Sequence, residues 1–320
     1  MLGIDLGGTD CKIGLIGSSG QVLAQGKFPT QSHLGPDGVL ENIARQARAF
    51  LTNDCGFHPL PQAVGMGVPG PMSSRHGIVY EAPNLPGWVN IPVAEKVSSH
   101  LKLPVFLSND ANAAAWGEYW GGAAARNPGL TSMIFYTLGT GVGGGIILNG
   151  QLLEGPDDTA GELGHMVIDT RPDAPLCGCG NRGCLEALAS ATAVRRRVLE
   201  LQKAGEVGLM EIPESGEFGA RVVFDAAEKG CIVAKGVFRE VGTALGVAIA
   251  NMINALNPEL ILLGGAMAGA GRHVLDPLLT TAQANSFAKP FQRVRIEQAQ
   301  LGADAGIVGA AGMAFRRYPL

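Results

Sequence analysis

Short apolar runs broken by glycine open the chain and predict three strands, over residues 2–6, 12–16 and 21–28, joined by turns at Gly7-Gly8-Thr9 and at residues 17–20. Runs of this length between turn residues read as an antiparallel meander. Val39, Leu40, Ile43, Ala47 and Phe50 then recur at helical spacing, which predicts a helix over 37–51. A strand over 63–68 ends in Pro69-Gly70-Pro71, a helix covers 93–101, and a strand covers 104–107. Further strands are expected over 132–138, 143–148, 260–263 and 294–298, and helices over 185–203, 219–229, 232–256 and 303–315. The segment 205–217 is rich in glycine and acid and reads as a surface loop.

One pattern occurs twice. An apolar strand, a turn of glycine and threonine and a returning apolar strand stand around Asp5 and again around Thr140. Internal repetition of this kind points to two similar α/β domains, and 320 residues suit two. Glycines at such turns let backbone N–H groups approach an anion. In Asp5-Leu6-Gly7-Gly8-Thr9 the threonine hydroxyl adds a donor, Asp5 could hold Mg²⁺ through water, and Lys12 could neutralise phosphate charge; a plain hairpin is the alternative. With the second turn, Gly139-Thr140-Gly141, a polyphosphate could be clamped by both. Neither turn matches the Gly-x4-Gly-Lys-Ser/Thr loop, and neither opens a helix as the dinucleotide fingerprint does. Gly264-Gly265, between a strand and a helix, could line an adenosine or be an ordinary turn. Asp110 follows the strand ending at Leu107 and precedes an alanine-rich run, so it could be a helix N-cap or a functional carboxylate at a strand end.

Composition removes other classes. Hydrophobic residues make up 46% of the chain, enough for sizeable cores, and the formal net charge is −4. The longest basic run, Arg195-Arg196-Arg197, reads as the solvated side of a helix, which argues against a nucleic-acid surface. The apolar region 241–271 is broken by Asn251, Asn254, Asn257 and Pro258, so it reads as a buried helix and strand rather than a membrane span. No basic and apolar leader precedes the first strand, and a cytoplasmic location is expected.

The densest chemistry lies in GELGHMVIDTRPDAPLCGCGNRGCLE, residues 161–186. His165, Cys177, Cys179 and Cys184 offer imidazole and thiolates at a spacing that suits zinc, and four protein ligands make the site structural rather than catalytic. Gly180 and Gly183 permit the tight turns that wrap a chain around an ion. Cys177 and Cys179 are too close to pair easily as a disulfide. Cys11, Cys55 and Cys231 are isolated and read as small buried residues.

Taken in order, DLGGT, GVPGP, NLPGW, ND, LGTGVGGG, GELGH and CGCGNRGCLE resemble the motifs of the ROK family (repressor, open reading frame, kinase) over essentially the whole chain. The wording is most like that of the family's bacterial glucokinases. The resemblance implies an α/β fold of the two-domain actin-like, hexokinase type, ribonuclease H-like in each half. It implies a small domain of residues 1–108 plus 303–320, with the final helix packed on it, and a larger zinc-bearing domain of 109–302. It implies Asp110 as catalytic base and Gly70, Asn84, Asn109, Asp110, Glu162, His165 and Glu186 as sugar-binding residues. For the nucleotide it implies Asp5, Gly7, Gly8, Thr9, Lys12, Gly139, Thr140, Gly141, Gly264 and Gly265. Structural Zn²⁺, Mg²⁺ with ATP, a hexose substrate and a homodimer are the expected cofactors and partners.

The expected reaction is ATP-dependent phosphorylation of a hexose, glucose first, with N-acetylglucosamine, N-acetylmannosamine or fructose as alternatives. A sugar-responsive repressor of the same family would carry a helix-turn-helix domain ahead of the first glycine turn, where only Met1 to Ile4 stand. Asp110 and both glycine turns also disfavour a catalytically dead sensor.

Overall fold

The computed structural model describes every residue except Cys55, Phe57, His58, Pro83, Val207, Glu214, Pro319 and Leu320. Cys55, expected to be buried, and Val207 and Glu214 of the expected 205–217 loop thus lie outside the described residues.

The chain opens with β1 (Leu2–Leu6), β2 (Asp10–Ile16) and β3 (Val22–Pro29), then α1 (Gly35–Asn53) and β4 (Val64–Val68). Three short strands follow, β5 (Met72–Ser73), β6 (Ile78–Glu81) and β7 (Val89–Ile91), and form a small sheet of their own that the sequence pattern did not announce. Next come α2 (Val93–Leu101), β8 (Val105–Asn109), α3 (Asp110–Gly117), a π-helical turn over Glu118–Ala123 and α4 (Ala124–Arg126). The second half holds β9 (Met133–Leu138), β10 (Val142–Leu148), β11 (Gln151–Leu152), α5 (Leu185–Ala189), α6 (Ala191–Lys203), α7 (Ala220–Glu228) and α8 (Ile232–Leu256). It closes with β12 (Leu260–Gly264), α9 (Arg272–Asn285), α10 (Ala288–Arg293), β13 (Arg295–Gln298) and α11 (Ala305–Arg317). The helix expected after Gly265 is α9, which starts at Arg272 after a 3-10 turn over Ala266–Ala270, and α10 went unread in the sequence.

The repeat is visible in the topology. One five-stranded sheet has the order β3-β2-β1-β4-β8 and the other β11-β10-β9-β12-β13. In each, a strand-turn-strand unit sits beside two later strands that run parallel to its first strand.

Two compact units result, Met1–Ser132 with Gly145–Gly161 and Gln300–Leu320, and Met133–Gly144 with Glu162–Ala299. The division expected after residue 108 therefore falls elsewhere: residues 109–132 group with the first unit. Helix packing is the reason. A Cβ on Gly309 of α11 would lie 1.6 Å from the Ala113 carbonyl oxygen of α3, so the two helices touch backbone to backbone. The same helix lies flat on the first sheet. Gly14, Gly3 and Gly65 stand in register on β2, β1 and β4, and a Cβ at Gly65 would lie 1.7 Å from the Ala310 carbonyl oxygen. On the sheet's other face Ile4, Leu6, Ile13 and Met66 form a core with Leu40 and Ile43 of α1 and Val97 of α2.

In the second unit α8 and α9 are similarly close, with Gly242 and Gly246 against the backbone at Val274 and Leu278. The helix expected over 185–203 is two helices. Ser190 interrupts it with an extended backbone, and its hydroxyl accepts the Ala193 N–H at 3.0 Å as the N-cap of α6. Arg195, Arg196 and Arg197 lie on α6 in ion pairs with Glu217, Glu200 and Glu240. Cys11 and Cys231 are buried, as their isolation suggested. Among the described residues no helix is long and apolar enough to cross a membrane.

Candidate active site and metal cluster

In the first unit the chemistry gathers at the carboxyl ends of β1, β4 and β8. Asp5, near the end of β1, is paired in register with Lys12 on one side and Gly67 on the other. Burial raises the Asp5 carboxyl above its ordinary value, with the Lys12 charge opposing that rise. Gly67 lies between the two acids, with the Asp110 Cα and Asp5 Oδ1 at 3.6 and 3.7 Å from where its Cβ would be, ordinary contact distances. Lys12 Nζ donates to the Ala303 carbonyl at 2.7 Å, just before α11, and lines a cavity of about 260 Å³ with Lys27 and Asp304.

The Gly7-Gly8-Thr9 turn is closed by the Gly7 N–H donating to the Asp10 carbonyl at 3.1 Å. Thr30 secures it from outside, its hydroxyl donating to the Gly7 carbonyl at 2.6 Å. Gly8 abuts Asn84, whose carbonyl oxygen and Cβ lie 3.4 and 3.5 Å from where a Gly8 Cβ would be. Asn84 is exposed on its turn while Trp88, four residues on, is buried. Gly70 has φ of +82° and faces the Glu81 carbonyl oxygen, a turn geometry that explains the glycine without a ligand.

Asp110 is the first residue of α3, and the N-cap is Asn109, not Asp110. The Asn109 side-chain oxygen accepts the N–H groups of Ala111 and Asn112 at 3.0 and 3.1 Å. Asp110 Oδ1 also accepts the Ala111 N–H, at 2.8 Å. Asp110 is half-buried in the first turn of the helix.

In the second unit His165, Cys177, Cys179 and Cys184 converge, all four ligand atoms lying within 4.8 Å of one another. The Cys179 and Cys184 sulfurs are 3.7 Å apart, and Cys177 Sγ is 3.6 Å from His165 Nδ1. Bonds of about 2.3 Å to a tetrahedral zinc set ligand separations of roughly 3.8 Å. The donor set and its spacing thus fit the ion. Gly180 and Gly183 have φ of +91° and +72°, the left-handed turns expected of the wrapping loop. Burial raises the Cys177 thiol, and burial with its thiol neighbours pushes Cys184 up to about 12, whereas the Asn181 N–H draws Cys179 down. A bound divalent cation would displace the protons that burial retains.

The second glycine turn lies against this loop. The Gly139 N–H donates to the Gly141 carbonyl at 2.9 Å, closing the turn. Glu186 Oε2 accepts the Val142 N–H at 2.9 Å, and its other oxygen lies 3.6 Å from Cys177 Sγ. Gly164, between Glu162 and His165, packs on the Val142 carbonyl oxygen. Glu162 is exposed and His165 half-buried at the ends of this short turn. Gly265, with φ of +82°, abuts the Leu138 backbone, so Gly264-Gly265 and the Gly139 turn share one corner of the unit. Sequence reasoning missed Ala191 and Thr192, which bind the carbonyls of Gly139 and Thr140 at 2.9 and 2.8 Å. Ser190, a cap residue inside a helical pattern, was the available signal.

The ROK family model matches residues 1–317. The chain is 37% identical over 314 residues to a glucokinase of Halalkalibacterium halodurans, covering 96% of this chain and 92% of that one. It is similar to the ROK hexokinase of Thermus thermophilus, with TM-score 0.80, 32% identity and coverage of 99% and 98% of the two chains. It is similar also to a ROK family glucokinase from Streptomyces griseus solved in complex with glucose and AMPPNP, with TM-score 0.78, 33% identity and 99% of each chain covered.

Proposed function

The chain belongs to the ROK family, and from that premise we propose that it transfers the γ-phosphoryl group of ATP to glucose, giving glucose 6-phosphate. It is an ATP-dependent sugar kinase of hexokinase-type α/β fold. The observation that carries the mechanism is the placement of Asp110 at the head of α3, next to the Asn109 cap at the end of β8.

A sugar hydroxyl is a weak nucleophile near neutral pH. In our reading Asp110 accepts the proton of the 6-hydroxyl as its oxygen bonds to the γ-phosphorus and the bond to the bridging oxygen of ADP breaks. Asn84, Asn109, Glu162, His165 and Glu186 bind the remaining hydroxyls, carboxylates as acceptors and amides as donors and acceptors; Gly70 shapes the turn nearby. Gly7, Gly8, Thr9, Gly139, Thr140 and Gly141 offer N–H and hydroxyl donors to phosphate, Lys12 offers charge, and Gly264 and Gly265 line the adenosine. Asp5 would hold Mg²⁺ through water, and that ion with ATP would screen phosphate charge.

His165, Cys177, Cys179 and Cys184 would hold zinc as a structural ion. His165 turns Nδ1 to Cys177, which leaves Nε2 for a sugar hydroxyl. A cytoplasmic place in glucose breakdown and a homodimeric assembly complete the reading. A panel of hexoses and N-acetylhexosamines assayed with ATP and Mg²⁺ tests it. Glucose is expected to give the highest kcat/KM, preference for N-acetylmannosamine would move the substrate, and no phosphorylation of any sugar would overturn the kinase reading. Sedimentation tests the dimer.

A further inference from the structure

The Gly139-Thr140-Gly141 turn is held less by its own strands than by the segment that follows the metal loop. Three contacts run from residues 186–192 to the turn and its first strand residue. Glu186 Oε2 accepts the Val142 N–H at 2.9 Å, the Ala191 N–H donates to the Gly139 carbonyl at 2.9 Å, and Thr192 Oγ1 donates to the Thr140 carbonyl at 2.8 Å. Gly141 is where the carboxylate fits, since a Cβ there would lie 2.3 Å from Glu186 Oε2. With the carbonyls turned toward α6, the turn's remaining N–H groups and the Thr140 hydroxyl are freed for a ligand.

The donors come from the first turn of a helix. Ala191 and Thr192 are the first residues of the 13-residue α6, where N–H groups lack intrahelical partners. Ser190 takes the Ala193 N–H, and the Gly139 carbonyl takes that of Ala191. The positive end of α6 is thereby fastened to the turn, and its field favours an anion held there. At the other end of the segment Glu186 Oε1 lies 3.6 Å from Cys177 Sγ, so the carboxylate that holds the Val142 N–H stands beside the metal cluster.

We propose that Thr192 is a positioning residue for the phosphoryl donor, and that the segment from Glu186 to Thr192 makes the nucleotide turn an extension of the metal loop. This rests on the reading of the Gly139 turn as a phosphate site. Thr192 itself touches no substrate in this account; it sets the Thr140 carbonyl and hence the direction of the donors beside it.

Thr192→Val removes the donor and keeps the shape, while Thr192→Ser restores the hydroxyl. Losing one such hydrogen bond corresponds to roughly a 3- to 10-fold effect. The Val variant is expected to raise the KM for ATP, and the Kd for MgADP measured by calorimetry without sugar, by that factor. The KM for glucose should stay at the wild-type value and the Ser variant should return the nucleotide constants toward it. Equal MgADP affinity in wild type and Thr192→Val would overturn the inference, as would a Ser variant no better than Val, or a parallel rise in both KM values. Wild-type protein that binds no MgADP would overturn the inference together with the kinase reading, whereas unchanged binding by the Val variant in an active kinase would overturn the inference alone.

Discussion

Asn109 caps the helix that Asp110 begins. Its side-chain oxygen accepts two backbone N–H groups, from Ala111 and Asn112, which fixes the direction in which α3 leaves β8. Losing an N-cap costs about 1 kcal/mol, within a range of roughly 0.5–2. Asn109→Ala is expected to lose that much stability in urea unfolding and also to lower kcat, because the base is no longer held in place. Asn109→Asp keeps the cap and should keep most of the stability. If the Ala variant unfolds at the wild-type midpoint, the cap does not hold the helix.

Asp110 carries the proton transfer in the proposed mechanism. Asp110→Asn preserves the size and the helix start but cannot accept the proton. The expected loss in kcat is on the order of 10²–10⁴, with glucose affinity by calorimetry within a few-fold of wild type. Near wild-type turnover would remove Asp110 from the role of base.

Asp5 links function to pH. Burial holds its folded-state carboxyl above the ordinary 3.8. The folded chain therefore keeps a proton that the unfolded chain has released, and between the two values the native state binds more protons. The stability associated with the neutral carboxyl is present below 3.8 and is lost as pH rises through the folded value. Asp5→Asn escapes that loss. Its stability relative to wild type, read from urea midpoints, is expected to grow as pH rises from about 4 to about 7, while phosphorylation falls. A difference independent of pH would show that the buried charge is not the cause.

The thiol and imidazole cluster is expected to hold about one zinc per chain, measured by elemental analysis after gel filtration. Chelation, or Cys184→Ser, should lower the melting temperature, by roughly 2–4 °C for each kcal/mol of lost stability in a domain of this size. It should also raise the KM for sugar through His165. A metal-free preparation with unchanged melting and unchanged sugar affinity would make the cluster dispensable.

Local pattern alone was enough for the first meander, the strand-turn-strand repeat, the His165, Cys177, Cys179 and Cys184 ligand set and most long helices. Each of these depends on residues near in sequence: a strand's apolar run, a glycine where φ is positive, ligands close enough for one loop to bring round an ion. Tertiary structure decided what depends on distant backbone. Gly65 and Gly309 read as ordinary glycines until α11 is laid on β4 and α3, and that contact draws residues 109–132 into the first unit. The break at Ser190 was hidden by the good helix formers that precede it, Leu185 to Ala189, and the turn at Gly139 gives the freed N–H of Ala191 a partner. Glu186, a sugar ligand by the family resemblance, also stands between Cys177 and Val142 because the fold brings residues 44 apart into hydrogen-bond contact. Spacing along the chain encodes local geometry, whereas a hydrogen bond across such a distance exists only once the intervening elements have packed.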